Sequence, residues 1–120
     1  MIGLEANFSH HSGDSRTLEL TINDEDGAAL DITTATEITW ALSKKVSDSV
    51  IPKGGALITK TLGSGVTLID GPTGRADVAI TPEDTADMKE DDYYHEVQLE
   101  LGGDTSTVLF GTVTLLKDLI

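Results

Sequence analysis

The sequence predicts an all-β fold of antiparallel strands, each with one buried and one wet face, and two observations carry that reading. Apolar residues recur with a period of two from end to end, as they do in strands that line a core on one side. Glycine-bearing turn signals separate these runs at short intervals, and such punctuation marks a sandwich or a barrel. Only one short stretch has helical character.

Taken in order, "TLELTI" puts Leu18, Leu20 and Ile22 on one side and Thr17, Glu19 and Thr21 on the other. "NDEDGAA" follows, and its Asp-Gly pair reads as a hairpin turn. "EITWALS" aligns Ile38, Trp40 and Leu42, which makes Trp40 a core residue. Ser43 to Ala56, "SKKVSDSVIPKGGA", mixes both charges with Ser, Pro and Gly and reads as a long inter-strand loop. "GSG" and "DGPTG" bracket further β sequence, and "RADVAIT" aligns Ala76, Val78 and Ile80. In "TPEDTADM", Thr81 can cap, Pro82 suits the first helical position and Asp84 falls where a capping-box acid belongs, so a single helical turn is expected. Finally Tyr93, His95, Val97, Leu99 and Leu101 share a face opposite Tyr94, Glu96, Gln98 and Glu100.

A chain of 120 residues is one domain, residues 1–120, and is long enough to bury roughly two-thirds of its unfolded surface. It has no cysteine, so neither a disulfide nor a thiolate site supports it. Eight Lys and Arg stand against 21 Asp and Glu, a net charge of −13, which repels phosphate backbones and anionic headgroups. Neither nucleic acid nor a membrane is an expected partner. The start, "MIGLEANF", lacks the basic and apolar regions of a signal peptide, and no apolar run is long enough to span a bilayer.

The stretch "TPEDTADMKEDDYYHEV" resembles an immunoglobulin-type corner, in which a Tyr two residues before the core cysteine bonds back to the backbone upstream. Tyr93 stands in that relation to His95, although "DMKEDD" lengthens the corner, so the likeness to antibody domains is one of chemistry. A second resemblance covers nearly the whole chain. An Asp-Gly turn (Asp26, Gly27) is followed by Asp31-Ile32-Thr33, then by a Val- and Ile-rich segment from Gly74 to Thr85. The aromatic-led strand at Tyr93 and Tyr94 comes next, then Val108 with Gly111. This order resembles the immunoglobulin-like modules of tailed-bacteriophage virion proteins, in particular the amino-terminal domain of phage baseplate upper proteins.

That resemblance implies an immunoglobulin-like antiparallel β-sandwich of about seven to eight strands. It implies a non-catalytic structural protein of the virion, made in the host cytoplasm. Its partners would be phage capsid or tail proteins, with a homo-oligomer in the assembled particle. Baseplate proteins of this kind continue into further domains, so a lone module is expected to act as an accessory that decorates the capsid or docks on the tail, neck or baseplate. The competing expectation is a carbohydrate-binding or adhesive module.

Motifs that could carry chemistry favour no enzyme and no cofactor. His10 and His11 lie near Asp14, but neighbours on a strand point to opposite faces, so a solvated pair is expected rather than a metal site. In "NDEDG" the calcium-loop spacing fails: with Gly27 sixth, Ile22 and Thr33 fall where ligand carboxylates are needed. Glu83, Asp84, Asp87, Glu90, Asp91 and Asp92 crowd one corner with Lys89 and read as a solvated face or a landing patch for a basic partner. His95 reads as a packed, hydrogen-bonded histidine. The apolar ends, "MIGLEANF" and "TVLFGTVTLLKDLI", read as outer strands whose edges need cover, so Met1, Ile2, Leu116, Leu119 and Ile120 are the expected partner contacts.

Overall fold

Alternating burial along most strands turns one face of each inward, and the result is a curled, nearly all-β structure. The computed structural model describes residues 4–117. Within them are β1 (Leu4–Glu5), β2 (Phe8–His11), β3 (Arg16–Thr21), β4 (Glu37–Lys45), β5 (Pro52–Leu62), β6 (Gly65–Asp70), β7 (Arg75–Ile80), α1 (Pro82–Thr85), β8 (Asp91–Leu101) and β9 (Asp104–Leu116). Met1, Ile2, Leu119 and Ile120 lie outside the described residues.

The strands form one hydrogen-bonded path, β1-β9-β8-β4-β5-β6-β7-β3, with β2 also on β9. Within this path β5 joins β6 through only two parallel residue pairs at a tight turn, Thr61 to Gly65 and Leu62 to Val66. The sheet folds over at this point. Leu20 of β3, Val66 of β6 and Ala76, Val78 and Ile80 of β7 therefore share one core with Trp40 of β4, Val97 of β8 and Val113 of β9. Trp40 is 0% exposed, as its parity with Ile38 and Leu42 requires.

Two expectations need correction. Ser43 to Ala56 is not a loop: β4 runs on to Lys45 and β5 begins at Pro52, so the strands continue as a projecting hairpin arm. Register shifts on either side of Ser43 set Leu57, and then Gly54 and Gly55, outside the regular pairing. Pro52 to Leu57 are exposed on both faces, and a strand that is wet on both faces shows no alternation to read. Nor is the carboxyl-terminal strand an outer strand. β9 pairs with β8 antiparallel on one side and with β1 and β2 parallel on the other, so the amino-terminal segment covers it.

The helical turn forms where expected. Asp84 Oδ2 accepts the Thr81 N–H at 2.7 Å and also meets Lys60 Nζ at 2.8 Å.

Candidate functional site

The most constrained polar group in the interior is His95, on the buried face of β8 between Leu42 of β4 and Gly111 of β9. Trp40 Nε1–H donates to His95 Nδ1 at 3.1 Å, and His95 Nε2 lies 2.7 Å from the Ala6 carbonyl oxygen. An indole nitrogen can only donate and a carbonyl can only accept, so the partners assign the proton to Nε2 of a neutral ring. Burial pushes the His95 pKa below its ordinary value, against the weaker opposing pull of the Ala6 carbonyl. Phe8 meets the ring edge-on, with centroids 5.3 Å apart.

Gly111 makes this geometry possible. A Cβ there would overlap the Ala6 carbonyl oxygen and come within 2.7 Å of its carbon and of Asn7 Oδ1. Without a side chain at that position, the chain between β1 and β2 settles onto the sheet. Ala6 N–H then donates to the Phe110 carbonyl at 2.8 Å, and Asn7 Oδ1 accepts the Thr112 N–H at 2.7 Å. Both nitrogens of His95 are thus spent on holding β4, β8 and the amino-terminal strands together. The gap beside Trp40 is about 10 Å³, room for hardly one water. The cluster is a clip, with no space for a substrate.

The corner chemistry is also present. Tyr93 Oη–H donates to the Lys89 carbonyl at 2.7 Å, bonding back upstream as an immunoglobulin-type corner does. Burial raises the Tyr93 pKa, and the Asp91 charge adds to the rise. Thr85 ties α1 to the β2–β3 turn: its carbonyl accepts from Ser12 Oγ at 2.8 Å and its Oγ1 from Gly13 N–H at 2.9 Å. Burial pushes Asp84 up, but Lys60 and the Thr81 amide together outweigh it and hold the carboxyl below its usual value.

Sequence reading missed one feature entirely. Between the β4–β5 arm and the α1–β8 corner lies an open groove of about 480 Å³, lined by Lys44, Lys45, Lys53 and Lys89 together with Leu57, Met88 and Tyr93. Asp87 and Asp91 also line it. Half of the eight Lys and Arg residues thus gather on one groove of an acidic chain. They come from three stretches of sequence, and only the arm brings them together.

The remaining predicted residues are distributed as follows. His10 is 5% exposed, with Nε2 lying 3.1 Å from the Asp14 carbonyl oxygen, while His11 is exposed; the expected solvated pair is therefore wrong for His10, because β2 turns alternate side chains inward. "NDEDG" is a turn closed by an Asn23–Ala29 bridge, in which Asp24 Oδ1 accepts the N–H groups of Asp26 and Ala28. In the acidic corner Glu83, Asp87, Glu90, Asp91 and Asp92 are exposed. Among the described residues no three His, Asp or Glu side chains are grouped to hold a metal ion. Leu116 is half-buried at the end of β9, opposite His11. No protein-family model matches the chain, and no curated protein matches it either.

Proposed function

We propose that this chain is a non-catalytic structural module of a tailed-bacteriophage virion, an immunoglobulin-like β-sandwich that decorates the capsid or docks on the tail, neck or baseplate. The observation that carries the reading is how the residues behind the resemblance meet. Asp31 Oδ1 accepts Thr33 N–H at 2.9 Å and Thr33 Oγ1–H at 2.6 Å, a turn that drives Ile32 into the core at 0% exposure. Ile32 N–H donates to the Gly71 carbonyl at 2.8 Å. At Gly74, φ is +73° and a Cβ would overlap the Ile22 carbonyl oxygen, so only glycine lets the two segments pack. Tyr93 and Gly111 serve the corner and the clip. Ile32, Ala76, Val78, Ile80, Tyr93 and Val108 of the motif thus meet in one core, while the exposed Asp31 and Thr33 shape the turn that feeds it, and this supports a shared architecture over chance likeness.

The distribution of aromatic rings favours this reading over a sugar-binding module, which needs exposed platforms. Trp40 is fully buried, and Tyr93 and Tyr94 are 5% and 8% exposed. Met1, Ile2, Leu116, Leu119 and Ile120 remain the proposed partner contacts, with further copies of the chain beside them in the particle.

The test uses particles produced without this chain, to which the purified protein is added back. Saturable binding, lost when residues 117–120 are deleted from a protein that still melts cooperatively, is the expected result. Absence of binding by the full-length protein overturns the proposal. Full binding by the truncated one removes the contact assignment.

A further inference from the structure

We infer that the groove beneath the β4–β5 arm is a docking site for an acidic, extended segment of a partner protein. The inference stands on the groove alone and does not require a virion. Lys44 and Lys53 are direct cross-strand partners in the arm. Like charges in that arrangement destabilise a sheet, and among the described residues no carboxylate lies within ion-pair distance of either one. Lys45 donates only to the Ser49 carbonyl, at 3.2 Å. Four lysines thus face two carboxylates, Asp87 and Asp91, in the lining of the groove, a local excess of positive charge in the free protein that an anionic partner relieves.

Three further features select an acidic polypeptide over a small anion. The groove is open, and beside its lysines lie Leu57 and Met88, apolar surface that a phosphate would leave unused. The two irregularities in β5 displace Leu57 from regular pairing, and it lines the groove while 50% exposed. Val46 and Ile51, at the tip of the same arm, are 42% and 55% exposed, so three of the six large exposed apolar side chains among the described residues lie on this one element. The overall charge does not exclude an acidic segment, since beyond about 8 Å at physiological salt the lysines outweigh distant carboxylates.

The probe is a fluorescein-labelled twelve-residue peptide of alternating Asp, Leu and Glu, titrated into the full chain and followed by anisotropy and by backbone amide shifts. Saturable binding is expected, with shifts at Lys44, Lys53, Leu57 and Lys89, and with affinity falling as salt rises. Lys44→Glu/Lys53→Glu should weaken binding at least about tenfold. Thermal melting and sedimentation check that this variant remains folded; if it does not, Lys44→Gln/Lys53→Gln replaces it. Unchanged affinity in the charge variants, or shifts confined to other faces, overturns the proposal. So does displacement of the peptide by equimolar pyrophosphate, which would mark an anion site only, or a self-association abolished by the charge variants, which would make a second copy the occupant.

Discussion

Replacing Gly111 with Ala tests the clip at its tightest point. The added methyl group would occupy the place of the Ala6 carbonyl oxygen, and a planar peptide group fixed in the chain at both ends cannot swing away as a flexible side chain would. The amino-terminal segment must therefore lift. His95 Nε2–H then loses its acceptor inside the core, which costs about 1–3 kcal/mol. Loosening of the edge-on Phe8 contact adds about 0.5–1.5 kcal/mol. The sum, about 1.5–4.5 kcal/mol, lowers the melting temperature by roughly 6–18 °C at about 4 °C per kcal/mol for a domain of this size. Urea melts give the free energy, and amide exchange locates the damage: Ala6 and Thr112, which donate across this junction, should lose protection first. In a His95→Leu background the same substitution should cost less, because no imidazole is left without its partner. A Gly111→Ala protein that melts within 2 °C of the parent (roughly 0.5 kcal/mol) and keeps Ala6 protected would refute the reasoning.

The other expectations are simpler. Trp40→Ala should cost roughly 3–5 kcal/mol, because it removes a fully buried indole and the donor to His95; an unchanged melt would remove Trp40 from the core. His95 and His10 both have folded pKa values lowered from 6.5, chiefly by burial, so the unfolded chain binds their protons more readily. Stability should be fully present above 6.5 and fall below it, by at most about 1.4 kcal/mol per pH unit for each histidine, until the folded rings titrate. His95→Leu should flatten that slope just below pH 6.5, and an equal slope would exonerate His95. EDTA should leave the melting temperature unchanged, since "HHSGD" and "NDEDG" have no sound ligand spacing; a fall reversed by zinc or calcium would contradict that.

What the sequence shows and hides follows from how each element is wetted. Leu20, Ile38, Trp40, Val78, Val97 and Leu99 lie in strands wet on one side only, and period two alone places them inward. Asp84 and Tyr93 are legible because their partners are local, three and four residues away. The clip is not, because His95 finds Trp40 and Ala6 at separations of 55 and 89 residues. β1 and β2, two and four residues long, are too short to display a period, and so the cover they give β9 and the burial of His10 went unread. The arm escaped for the opposite reason, being long but exposed on both faces and broken in register. With it went the lysine groove, in which Lys44, Lys45 and Lys53 of the arm meet Lys89 because β4 pairs with β8.

The central proposal, a structural place in a tailed particle, is tested most directly by counting copies. Tailed particles produced from the genome that encodes this chain would be purified through a density gradient, and the chain quantified by mass spectrometry against isotope-labelled standards for itself and for the major capsid and tail proteins. The account predicts a fixed ratio that survives high-salt washing and matches the symmetry of a capsid, neck, tail or baseplate position. Absence of the chain from gradient-purified particles, or a trace amount that varies between preparations and washes away, would contradict it.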